Sequence, residues 1–137
     1  MPYVCPVCAI NPESHSLQFI EEKENVLYYY THPAKAKLYF DKDGIINHYN
    51  GVLSEIPKNK EWVWIFDGKD FGLKHLAEIT LAKELTTLIS SNFSNNLKQI
   101  QIINCNFYVS TIYNIIYSFV KSDFTSKITF LTDYNAL

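Results

Sequence analysis

Glycine is scarce in this chain, four residues in 137, and none stands in a Walker phosphate loop or a dinucleotide-type Gly fingerprint. No nucleophile elbow is present either. Nucleotide binding in a Gly-rich cradle is thereby excluded. Charge of one sign is lacking too: 12 basic residues stand against 14 acidic ones, for a net charge of -2, with no long run of either. That leaves no electrostatic footprint for nucleic acid. The longest nearly uncharged apolar stretch, Phe107 to Val120, is interrupted by Ser110, Asn114 and Ser118, and it falls short of the roughly 20 residues that span a bilayer. The opening residues, Met1 to Pro6, have neither the basic start nor the apolar run of a secretory signal. Three cysteines are too few, and odd in number, for a disulfide framework. A reducing, cytoplasmic location is expected, with Cys105 in the core.

What is present suits a folded domain. The composition is 47% hydrophobic and 15% aromatic, with 10 Tyr and 9 Phe. A chain of this length buries roughly two-thirds of its unfolded surface. No repeat or linker divides it. Residues 1–35 read as an irregular N-terminal arm that is rich in proline, carries the cluster Glu21-Glu22-Lys23-Glu24, and has its best strand candidate at Val26 to Tyr30. Residues 36–137 read as an α/β domain that makes one folded unit with that arm. Within it, Asp41-Lys42-Asp43-Gly44 is turn chemistry, and a short helix from Ile45 to Ile56 is ended by Pro57.

The pattern sharpens after Glu61. Trp62 to Phe66 is a continuous apolar and aromatic run closed by Asp67-Gly68, which suits a strand buried on both faces. Leu73, Leu76, Ala77, Leu81, Leu85, Leu88 and Ile89 recur at helical steps up to Ser90. Strand Ile100 to Asn104, a helix marked by Ile112, Ile115, Ile116, Phe119 and Val120, and strand Lys127 to Leu131 repeat the unit. Such alternation implies a predominantly parallel sheet with βαβ crossovers.

Between Trp62 and Leu131 the chain resembles the CRAL-TRIO lipid-binding family. The resemblance rests on the turn Ile65-Phe66-Asp67-Gly68, on Leu97 through Asn104, on Phe107, on the helix start Ser110-Thr111, on Phe119, and on Ser126-Lys127-Ile128, in the family's order and spacing. It implies a non-enzymatic carrier in which a sheet floors an apolar cavity and a mobile helix, here Ser110 to Lys121, covers one lipid-like molecule. The ligand-lining residues it implies are Trp62, Trp64, Phe66, Tyr113, Ile116, Tyr117 and Val120, with Lys127 as a headgroup contact. The outer side of the cover helix would meet water or a membrane surface. Phosphoinositide binders carry a proline–glutamate pair before the second strand, where this chain has Ser94-Asn95-Asn96, so that specificity is not implied. The two tryptophans would make the pocket small or filled. The chain ends six residues past Leu131, where relatives usually continue, so it reads as a minimal version whose cavity wall a second copy could complete. The alternative is a protein-interaction module with a filled pseudo-pocket and a structural zinc site.

The zinc reading rests on Cys5-Pro6-Val7-Cys8, the spacing at which two thiolates share one ion, with His15 and His32 as completing ligands. The later spacings match no standard finger, and two exposed, unremarkable thiols are the competing reading. Asp67 reads as a turn or cap group rather than a catalytic acid. His75 reads as one half of a surface ion pair with Glu78, and His48 as a partly buried polar residue near Tyr49. No constellation supports an enzyme, and no cofactor is required.

Overall fold

The computed structural model describes residues 3–118 and 120–131, which leaves Phe119 outside the described residues. Five strands, β1 (Gln18–Lys23), β2 (Val26–Thr31), β3 (Glu61–Asp67), β4 (Leu97–Ile103) and β5 (Ile128–Leu131), form one sheet in the order β1-β2-β3-β4-β5. The β1–β2 pair is antiparallel and the other pairs are parallel. The segment read as an irregular arm thus supplies the first two strands. Strand β1 escapes notice in the sequence because its charged side chains lie at an exposed sheet edge. Its hairpin turn is Glu24-Asn25, where both residues have positive φ, 54° and 66°. That is the backbone a two-residue type I′ turn requires.

Strand pleating sends alternate side chains to opposite faces. Leu27, Tyr29, Trp62, Trp64, Ile100 and Ile102 join the larger apolar cluster. Val26, Tyr28, Val63, Ile65 and Ile103 form the smaller one. Six α-helices, α1 (Pro6–Ile10), α2 (Lys42–Leu53), α3 (Leu73–Leu76), α4 (Ile79–Asn92), α5 (Phe107–Tyr117) and α6 (Ser122–Thr125), and a single 3-10 turn (Pro33–Lys35) complete the described structure. Buried residues of α2, α4, α5 and α6 belong to the larger cluster, so these helices cover the same face of the sheet.

Helix boundaries follow caps rather than apolar periodicity. Asp41 caps α2 by accepting from the Gly44 N–H at 3.3 Å, so the expected turn residues Lys42 to Gly44 are its first turn. The single helix expected from Leu73 to Ile89 is two helices, broken at Ala77 and Glu78. Periodicity misses the break because Leu76 and Leu81 each still pack against the core. Helix α5 begins at Phe107 rather than Ser110, because Asn106 Oδ1 accepts from the Tyr108 and Val109 N–H groups at 3.0 Å each. The Asn106 amide also donates to Gly68 O at 3.3 Å and Phe71 O at 2.9 Å, tying the loop after β3 to the loop after β4. The two loops meet closely at Gly68, where a Cβ would lie 2.7 Å from Val109 Cγ2. Asn106→Ala removes the cap and the loop tie together, and should lower stability in urea unfolding by about 2 kcal/mol.

Candidate functional site

Between the helices and the sheet lies an apolar cavity of about 120 Å³. Trp64 and Phe66 of β3 line it together with Tyr49 of α2, Leu81 and Leu85 of α4, and Ile116 of α5. A neighbouring cavity of about 80 Å³ shares Trp64, Phe66, Thr86, Ile112 and Ile116, and adds Tyr113 and Phe124. Both are small beside the roughly 300–1,000 Å³ of a typical ligand pocket, and similar to a dry cavity of about 150 Å³ that takes a benzene-sized molecule.

The polar groups at this face mostly satisfy one another. The Trp64 indole N–H donates to Thr31 Oγ1 at 3.0 Å. The Thr31 hydroxyl meets Tyr49 Oη at 2.8 Å, and Tyr49 donates to Ser16 O at 3.2 Å. Burial pushes the Tyr49 phenol well above its usual range. Thr86 donates back to Ala82 O at 2.8 Å within its own helix. His75 is different. It is 6% exposed, lines the larger cavity, and stands between Tyr39 and Phe71 with ring centroids 4.9 and 5.1 Å away. The surface ion pair expected of it does not form, because the end of α3 packs inward against those rings. Its Nδ1 accepts from the Gly72 N–H at 2.9 Å, which places the ring proton on Nε2. Burial, helped by nearby Lys74, holds the ring below its ordinary pKa and therefore neutral at pH 7. Among the described residues His75 Nε2 is the only buried side-chain polar atom with no partner.

A protein-family model, the CRAL/TRIO domain, matches residues 6–137. The chain belongs to the CRAL/TRIO domain family. A solved structure, the crystal structure of Sfh5, is similar with a TM-score of 0.67 and 17% identity, covering 88% of this chain and 47% of that one. At that identity the likeness shows the fold alone, and the chain spans about half the length of that solved protein. No curated protein sequence matches it. CRAL/TRIO proteins are in general lipid-binding and transfer proteins. No helix among the described residues is long and apolar enough to cross a membrane.

The residues expected to line the CRAL/TRIO cavity fall into three groups. Trp64, Phe66, Ile116 and Tyr113 line one or both cavities. Trp62 shares their face of the sheet but is fully buried against Tyr29, and its indole N–H donates to Phe93 O at 2.9 Å. Val120 packs against the core outside either lining, Tyr117 is 57% exposed, and Lys127 Nζ donates to Ser94 O at 2.7 Å. Sequence reasoning missed Tyr49, Thr86, Ile112 and His75. A polar residue amid helical apolar spacing was the one available signal, and it does not tell an inward histidine from an outward one.

The cysteine and histidine residues also sort differently than expected. Cys5, Cys8 and His15 come together with His48, their four ligand atoms lying within 4.8 Å of one another. His32 is elsewhere. It follows β2, whose parallel pairing with β3 carries it to the end of β3, where Nε2 donates to Lys69 O at 3.0 Å and Nδ1 stands 3.6 Å from Asp67 Oδ2. Cys105, expected in the core, is exposed because it sits in the short loop between β4 and α5.

Asp67 is a structural hub at that strand end, as its turn chemistry implies. Its Oδ1 accepts from the Lys69 N–H and the Asn104 amide, each at 2.9 Å, and Oδ2 accepts from Tyr30 Oη. Burial pushes its pKa up, but these donors and nearby His32 outweigh burial and hold the carboxyl below its ordinary value. A depressed folded-state pKa stabilises the fold above the unfolded carboxylate value of about 3.9, and that stability is lost as pH falls through the folded value. Asp67→Asn should therefore lower stability at pH 7 by about 1–2 kcal/mol. It should also flatten the acid limb of a stability–pH profile below about pH 4.

Proposed function

We propose that this domain holds one hydrophobic, lipid-like molecule in its apolar cavity, with an oxygen of the ligand accepting from His75 Nε2–H. The observation that carries the reading is that unpartnered nitrogen of a histidine that lines a largely apolar cavity. A buried donor left unsatisfied costs about 1–3 kcal/mol, which a carbonyl, ester or hydroxyl oxygen recovers. Each methylene placed beside Trp64, Phe66 and Ile116 contributes about 0.8 kcal/mol, and no cofactor or covalent chemistry is required. Because the two cavities are small, a full acyl chain enters only if a wall moves. Helix α5 is the wall suited to that, since it contributes Ile112 and Ile116 to both cavities and turns Phe107 and Tyr117 outward, where a membrane surface would meet them.

The same small volume favours a second reading, a protein-interaction module whose pocket Trp64 and Phe66 largely fill. Mass spectrometry of the purified chain under non-denaturing and denaturing conditions separates the two. The expected result is a discrete added mass, identified as a lipid and lost on denaturation. His75→Asn keeps an acceptor for the Gly72 N–H but leaves no donor at the position of Nε2, and should weaken retention about 3–10-fold. Ala82→Phe fills the cavity and should abolish retention. A bare chain that takes up none of the offered lipids would transfer the function to the interaction reading.

A further inference from the structure

The cluster of Cys5, Cys8, His15 and His48 lines neither cavity. Cys5 stands at the position just before α1 and Cys8 follows three residues later in that short helix, so both sulfurs face one side. The chain then turns back: Ser14 Oγ donates to Asn11 O at 2.5 Å, and Glu13 has positive φ, 66°. That reversal sets His15 Nδ1 at 3.5 Å from Cys5 Sγ and 3.7 Å from Cys8 Sγ. His48, reaching in from α2, sets its Nδ1 at 3.9 Å from Cys8 Sγ.

These three separations, 3.5 to 3.9 Å, lie at or slightly above those of a coordination shell. Zinc–sulfur bonds of about 2.3 Å and zinc–nitrogen bonds of about 2.0–2.1 Å at tetrahedral angles place S and N ligands about 3.5–3.6 Å apart. The outward nitrogens strengthen the case. His15 Nε2–H donates to Asp41 Oδ2 at 2.9 Å and His48 Nε2–H donates to Leu17 O at 2.9 Å. Each acceptor fixes its ring's proton on Nε2, so both Nδ1 lone pairs face the sulfurs, as in carboxylate- and carbonyl-oriented metal ligands. Gly44 makes the Asp41 contact possible, since a Cβ there would overlap the Asp41 carboxylate and stand 2.9 Å from His15 Nε2.

We infer that Cys5, Cys8, His15 and His48 form a closed structural zinc site that fastens the N-terminal turn to α2. Two thiolates and two neutral imidazoles balance the divalent charge, and a four-ligand S and N set without an open position is the structural type rather than the catalytic one. The site also steadies the cavity wall. His48 adjoins Tyr49 on α2, and both Tyr49 and Ile45 of that helix line the cavity.

The test is metal analysis of the full chain, expressed with zinc available and kept reduced. One zinc per chain is expected, and zinc removal by a strong chelator should lower the thermal midpoint. His48→Ala should weaken zinc binding by more than about 100-fold, since disturbing an outer-shell partner alone costs about 10–100-fold. Asp41→Asn, which keeps the helix cap, should fall at the lower end of that range, and His32→Gln should leave zinc unchanged. Because a ligand variant can fail to fold, cobalt(II) titration of the zinc-free wild-type chain gives an independent reading, with thiolate-to-cobalt and tetrahedral ligand-field absorption saturating at one equivalent. A reduced wild-type chain with neither zinc nor that absorption overturns the site. So does unchanged zinc affinity in His48→Ala.

Discussion

Strand β3 is buried from Trp62 to Ile65, with no residue there more than 5% exposed, and this constraint organises the molecule. A strand without a solvent face needs a paired neighbour on each edge and an apolar layer on each side, because its backbone polar groups and its side chains must all be satisfied away from solvent. Strands β2 and β4 supply the edges in parallel register. The large cluster beneath α2, α4 and α5 supplies one layer, and Val26, Tyr28 and Ile103 flank Val63 and Ile65 on the other face. Parallel pairing needs long crossovers, and those crossovers are the helices that enclose the cavity.

At the carboxyl end of β3 the polar chemistry is concentrated in two residues. Asp67 gathers donors from Tyr30, Lys69 and Asn104. Asn106 caps α5 and holds the loop after β3 through Gly68 and Phe71. Their shared position explains why a carboxylate at a strand end, a place often used for catalysis, is here absorbed by structure. The start of α5 and the loop leading into α3 are thereby fixed to each other, and α3 presents His75 to the cavity.

The proposed zinc site and the proposed ligand site meet on α2. Helix α2 carries His48 toward the sulfurs and Ile45 and Tyr49 toward the cavity. Asp41 serves the helix and the site together, as the cap of α2 and the orienting partner of His15. The two proposed sites therefore share an element, α2, rather than any atom.

The α/β class, β3, β4 and the βαβ order were legible in the sequence because they rest on local periodicity: continuous apolar runs make buried strands, and three- and four-residue apolar steps make helices. Of the lining residues the resemblance implies, Trp64, Phe66, Tyr113 and Ile116 stand on cavity walls and Trp62, Tyr117 and Val120 do not, although strand alternation and the helical repeat assign the faces of all of them. The edge strand β1, with its charged side chains, has no such signature. Neither does the break between α3 and α4, nor the inward turn of His75, because each is decided by packing against residues distant in sequence. The cysteine–histidine cluster shows the division most clearly. Cys5, Cys8 and His15 share a local segment and could be grouped from spacing alone. The fourth member, His48, lies 40 residues beyond Cys8 and arrives only through the docking of α2, while His32, nearer in sequence, is carried off by the pairing of β2 with β3.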